Sequence, residues 1–204
     1  MSTSAKVTAR QRIENLLDDN SFVEIGAYVK ARNTDFNIQA KDTPSDGVIT
    51  GYGVINGGLV YVYSQDASVL GGSVGEMHAK KIASLYDMAM KTGSPVIGLI
   101  DSTGLRLQES VDGLNAFGQI YMKQSLASGV IPTITAIFGN CGGGLSIVAG
   151  LSDFTFMEVE NAQLFVNSPN AITENRKEIC DNASAKFQSE VAGNVDFVGT
   201  EAEV

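Results

Sequence analysis

Hydrophobic positions along the chain switch between continuous or alternating runs, which mark strands, and a spacing near 3.6, which marks helices. Ile131-Pro-Thr-Ile-Thr-Ala-Ile-Phe138 is a strand-forming run. It is followed by the glycine turn Gly139-Asn-Cys-Gly-Gly-Gly144 and by Leu145-Ser-Ile-Val-Ala-Gly150, which reads as a helix starting inside the turn. Upstream, Thr8 fits the N-cap of a helix reaching Leu17, with Ile13, Leu16 and Leu17 on one face. Residues 22–29 read as a strand and residues 30–45 as a polar loop. Residues 48–55 and 59–64 form a hairpin around Asn56-Gly57, a type I′ turn signal. Ile82, Leu85 and Ala89 put a buried stripe on a helix over residues 76–90, closed by Gly93 and Pro95. A strand over 96–100 runs into Asp101-Ser-Thr-Gly104, and a helix spans about 111–128. Short strands are expected at 153–159 and 163–166, a polar stretch at 170–182, a weak helix at 184–191 and an extended piece at 195–198.

Strand and helix alternate, which predicts a single α/β domain with parallel pairing and right-handed crossovers. In such sheets ligands collect at the carboxyl ends of strands. Both glycine turns, at Thr103-Gly104 and at Gly142 to Gly144, fall at those ends. Thr200-Glu-Ala-Glu203 has the form of a capping box. Two readings of it stand: the start of a helix whose remainder lies beyond residue 204, so that the chain is a fragment, or an acidic frayed tail.

With 44% hydrophobic and 18% charged residues, the chain is able to bury a core. A net charge of −9 with no basic stripe argues against a nucleic-acid binder. The cysteines, Cys141 and Cys180, are far apart and lack metal-ligand spacing, so neither a disulfide framework nor a metal is expected, and a cytoplasmic location fits. No signal peptide or membrane-crossing run is visible.

Glycines remove every Cβ from a turn, so a ligand can approach the backbone, and the first amides of a helix lack an intrahelical acceptor. Such a turn suits an oxygen that gains charge during a reaction. The plainer reading is a tight turn in an α/β sheet. If both turns serve one oxygen, they suit an acyl thioester whose α-carbon becomes carbanionic.

Several strings resemble one family: Asp46-Gly-Val-Ile-Thr-Gly-Tyr-Gly, Gly71-Gly-Ser-Val-Gly-Glu-Met-His-Ala-Lys-Lys-Ile82, Asp101-Ser-Thr-Gly-Leu-Arg-Leu-Gln-Glu109, Ser128-Gly-Val-Ile-Pro132 and Gly139-Asn-Cys-Gly-Gly-Gly144. They look like the amino-terminal domain of biotin-dependent acyl-CoA carboxyltransferases, a group that includes propionyl- and acetyl-CoA carboxylase subunits and related decarboxylases. The likeness runs from about Thr8 to Pro169, and the Gly71 to Ile82 string is its specific part.

The resemblance implies a crotonase-like (ClpP/crotonase) twisted sheet with surrounding helices. It implies an acyl-CoA site in residues 1–204, facing a biotin site on a carboxyl-terminal domain that this chain lacks. It also implies a biotin carrier protein as partner and a homo-oligomer. Carried over by position, one oxyanion amide would come from Thr103 or Gly104 and the other from Gly143 or Gly144. Gly71, Gly72, Lys80, Lys81 and Arg106 are the substrate-binding candidates. The family usually has glycine at Thr103, proline at Asn140 and alanine at Gly142.

Each candidate also has a structural reading. His78, the one histidine, is a packing residue more readily than a base. Lys80 and Lys81 either meet CoA phosphates or form a solvated helix face, and Arg106 either orders its loop or reaches a phosphate. Asp101 and Glu109 suit capping, and Met77, Met88 and Met90 suit the core. Two functions from different classes remain: the acyl-CoA half of a carboxyltransferase moving a carboxyl group between carboxybiotin and the α-carbon of a short acyl-CoA, or a non-catalytic assembly and docking domain.

Overall fold

The computed structural model describes residues 7–32, 42–168 and 181–204. Cys180, Pro169 and most of the polar stretches expected at 30–45 and 170–182 lie outside them. One sheet carries the order β1-β2-β3-β4-β5-β6-β8, with β7 pairing separately with β5. The strands are β1 (Val23–Ile25), β2 (Val48–Ile55), β3 (Gly58–Gln65), β4 (Val96–Ser102), β5 (Thr133–Gly142), β6 (Phe154–Glu158), β7 (Gln163–Phe165) and β8 (Phe197–Gly199). From β3 onward the pairs are parallel; β1, β2 and β3 are antiparallel.

The hairpin turn is as expected, with Asn56 and Gly57 both at positive φ. Some expectations need correction. The strand expected at 22–29 is only three residues long, because Gly26 takes a left-handed turn at φ 73°. The strand through Phe138 continues to Gly142, so the glycine turn narrows to Gly143, at φ 60° and ψ −126°. At the chain's end, Glu203 accepts from the Thr200 backbone N–H at 2.9 Å, forming one arm of the expected box over a turn.

The helices are α1 (Ala9–Leu16), α2 (Glu76–Thr92), α3 (Ser110–Ala127), α4 (Gly144–Gly150) and α5 (Ala185–Glu190). Thr8 and Gln11 form a complete capping box on α1. Strand alternation divides the core into two layers. Val60, Val62, Ile97, Leu99, Ala136 and Phe138 face α1, packing on Ile13 and Leu17. Tyr61, Tyr63, Val96, Ile100 and Ile137 face α2 and α3, packing on Ile82, Leu85, Ala89 and Ile120. Sheet strands buried on both faces read as near-continuous apolar runs, which is the pattern of β3 to β5.

Gly98 in β4 lies under the buried Tyr63 ring, and a Cβ there would overlap the Tyr63 phenol. Gly98→Ala should therefore destabilise the fold by about 1–3 kcal/mol through overpacking. Urea denaturation of the two proteins, compared at equal slope, checks this.

Candidate functional site

β4 and β5 run parallel, and beyond an irregularity after Ile100 the register resumes with Ser102 opposite Cys141. The loops that follow are thereby neighbours: a Cβ on Gly104 would lie 3.5 Å from the Gly142 carbonyl oxygen. The two expected turns thus open at the same end of the sheet. Thr103 is exposed at its rim, and a Cβ on Gly143 would meet nothing within 4 Å. The backbone at Gly143 is thus open to close approach among the described residues.

Amide directions differ from expectation. The Thr103 N–H donates to the Gly71 carbonyl at 2.9 Å, and the Gly104 N–H to Ser102 Oγ at 3.1 Å. The Gly143 N–H donates to the Phe165 carbonyl at 3.0 Å. Three of the four expected oxyanion donors thus already have acceptors within the protein. Gly144 differs, since it is the first residue of α4 and has no acceptor in its own helix. A fifth amide was not anticipated. Leu105 forms a parallel bridge with Val74, in which Val74 N–H donates to the Gly104 carbonyl and Arg106 N–H to the Val74 carbonyl. This alternation turns the Leu105 N–H away from residue 74, and it meets no acceptor among the described residues.

The substrate-binding candidates separate. Gly71 and Gly72 lie at φ 67° and 64°, against Thr103 and the Asp101 carbonyl respectively, so they shape the wall beside the first turn. Lys80 is exposed and pairs with Glu76 on its own helix at 2.7 Å. Lys81 does not face solvent: its ammonium donates to the Ser45 carbonyl at 2.9 Å and to the Val48 carbonyl. Burial lowers its pKa to about 8. Arg106 is also buried, with donors directed at Asp46, Glu109, Ser73 Oγ and the Ser73 carbonyl. Neither Lys81 nor Arg106 is placed to reach a phosphate, because their charged ends already have acceptors inside the fold.

His78 is fully buried and packs as a structural residue. Its Nδ1 lies 3.0 Å from the Asp46 carbonyl, which can only accept, so Nδ1 carries the proton. Nε2 then accepts from Gln65 Nε2 at 3.2 Å. Burial, with help from Arg106, lowers the His78 pKa to about 3. Cys141 is buried too, and burial pushes its thiol up to about 12, so it fills space and is not a nucleophile. Asp101 bonds Arg12 at 3.3 Å on the α1 side of the sheet. A cleft of about 580 Å³ opens there, lined in part by Arg12, Phe138, Asn140 and Glu201. No group able to hold a metal was found among the described residues.

The sheet and the adjoining glycine turns define an α/β domain of the crotonase-like class. A family model, the carboxyl transferase domain, matches residues 2–199, and the chain belongs to that family. It is 48% identical to the methylmalonyl-CoA decarboxylase subunit alpha of Propionigenium modestum, over 83% of this chain and 33% of that protein. It is also 48% identical to the propionyl-CoA carboxylase beta chain of Roseobacter denitrificans, over 82% of this chain and 33% of that one. Among solved structures, transcarboxylase 12S, a hexamer with methylmalonyl-coenzyme A bound, superposes with a TM-score of 0.90 at 37% identity, over 96% of this chain and 39% of that chain. The chain spans about a third of the length of the curated relatives it matches.

The buried histidine sets a pH dependence. Between about pH 6.5 and about 3 the unfolded chain binds a proton at His78 that the folded chain refuses. The unfolded state binds more protons there, so stability falls as pH falls, by up to about 1.4 kcal/mol per unit. Urea midpoints from pH 7 to 4 should show this slope. In His78→Asn, which keeps a donor near the Nδ1 position, the slope should flatten.

Proposed function

We propose that this chain supplies the acyl-CoA half of a biotin-dependent carboxyltransferase. The carboxyl group passes to or from the α-carbon of a short acyl-CoA. When the α C–carboxyl bond breaks, its electron pair moves into the thioester and the carbonyl oxygen takes the charge, while the carboxyl group would pass to biotin. In the other direction the α-proton would pass to the biotin nitrogen that gives up its carboxyl group. The neighbouring turns after β4 and β5 are the observation that carries this reading. Of the amides there, Leu105 and Gly144 are the best candidates to meet that oxygen. Thr103, Gly104 and Gly143 would serve by keeping the two turns in place through their internal bonds. His78 is not the base, since it is buried and both ring nitrogens have partners.

Biotin, carried on a partner protein, would supply or take up the carboxyl group. A Cβ on Gly143 would meet nothing within 4 Å, so the backbone of that turn is open to close approach among the described residues. A carboxyl-terminal domain and further copies of the chain would complete the site from the facing side. Leu114, Met122 and Leu126 on α3 expose apolar area suited to such a face. The methylmalonyl-coenzyme A bound to transcarboxylase 12S supports the acyl-CoA assignment. The competing idea of a purely docking domain rests on the same exposed apolar residues, and family membership weighs against it. A cytoplasmic location fits the chemistry, and none of the described helices is long and apolar enough to cross a membrane.

Titration of the isotope-labelled chain with propionyl-CoA tests the reading. The Leu105 and Gly144 amide resonances should shift together and saturate. Shifts confined to the α1 side of the sheet, or no binding by a folded chain, would reject the site. In the assembled enzyme, loss of one such donor should lower kcat by about 100- to 1000-fold.

A further inference from the structure

The turn bearing Thr103, Gly104 and Leu105 is followed at once by Arg106, whose side chain runs back into the protein. Its Nη1 donates to Asp46 Oδ1 at 2.5 Å and to Glu109 Oε1 at 2.9 Å. Nη2 donates to the Ser73 carbonyl at 2.7 Å, and Nε to Ser73 Oγ at 3.2 Å. Each carboxylate holds a second element with its other oxygen. Asp46 Oδ2 accepts the His78 N–H at 2.7 Å, and Glu109 Oε2 accepts the Glu76 N–H at 2.6 Å. Glu109 thereby caps α2, whose own N-cap, Gly75, offers no side chain. A Cβ on Gly75 would collide with both Glu109 and Arg106. Asp46, Arg106 and Glu109 are all nearly inaccessible to solvent.

Backbone strain gathers at the same place. Ser45 and Asp46, at φ 52° and 49°, sit in the left-handed region that disfavours side chains. Leu70, just before Gly71, and Ser110, just after Glu109, do so as well, at φ 50° and 48°. Such strain persists only where the surroundings impose it. Lys81 holds the Pro44–Gly47 turn from below through the Ser45 carbonyl.

We infer that Asp46, Arg106 and Glu109 form a positioning unit for the first glycine turn, and that their shared guanidinium fixes which way the Gly104–Leu105 amides face. The inference rests on the proposed function for what the turn receives, but the positioning itself stands on geometry alone. Arg106 is a positioning residue and touches no substrate.

Two variants test it in the 204-residue chain. Glu109→Gln leaves one cation facing one anion. It still sets an amide NH₂ against either the Arg106 or the Glu76 donor. Gly75→Ala crowds the unit without removing any charge. Hydrogen exchange followed by NMR reads the Thr103, Val74 and Arg106 amides, whose bonds hold the turn. In either variant these should exchange about tenfold faster, while Val62 and Ile137 in the sheet stay within about twofold. Unchanged exchange at the three amides in both variants would overturn the inference. So would equal acceleration across the sheet, which marks simple destabilisation. In the assembled enzyme, Glu109→Gln should lower kcat by about tenfold with KM within about twofold; an effect on KM alone would also count against positioning. A wild-type chain that ignores propionyl-CoA would defeat the proposed function, while the exchange data would still decide the positioning.

Discussion

Parallel pairing of β4 with β5 is the constraint on which the site depends. Two loops separated by a whole helix in sequence become neighbours because Ser102 and Cys141 stand opposite each other. Parallel strands need a long crossover, and here α3 provides it, packed on α2 over the same sheet face. Both strands are buried on their two sides, so neither can slip by a residue without moving its apolar set to the wrong layer. The relative position of the turns is thus set by the core.

Position is not direction, and the second is set by polar contacts. The first turn lies between the Gly71 carbonyl and Val74 on one side and the buried Arg106 on the other. Two carboxylates and one guanidinium share that space. Such a cluster contributes little net stability compared with an apolar replacement, yet losing the Arg106 guanidinium is expected to cost about 3–5 kcal/mol because two buried carboxylates are left uncompensated. Burial raises the Asp46 pKa, and the Arg106 guanidinium opposes that rise. The cluster therefore gives a stiff scaffold whose failure is local and large, which suits a turn that must hold its amides still.

Much of the fold was legible in the sequence. The glycine of Asn56-Gly57, the Thr8 N-cap and the stripe of Ile82, Leu85 and Ala89 each act through neighbours a few residues away, and such signals survive without a tertiary context. The placement of both turns at strand ends was legible for the same reason. Amide directions were not. Their acceptors, the carbonyls of Gly71 and Phe165 and the hydroxyl of Ser102, are fixed by loop geometry, and two of them are more than twenty residues away along the chain. Asp46 was missed because its partner Arg106 is 60 residues distant. Lys81 did leave a signal: it lies three residues after the buried His78 and four before Leu85, on the inward face, whereas Lys80 lies a third of a turn away.

Of the three departures from the residues the resemblance leads one to expect, two are exposed and the third, Gly142, is buried against Phe165 at the end of β5. Asn140 is exposed at the end of β5, and Thr103 is exposed at the rim of the first turn. The Thr103 side chain lies where a Cβ on Gly71 would have to go, so a side chain at 103 requires glycine at 71. Residues beneath the turn, by contrast, are tied on several sides, and a change at any of them has to satisfy Asp46, Ser73 and Glu109 together. A substitution at the exposed Thr103 or Asn140 side chain therefore disturbs fewer partners than one at Arg106.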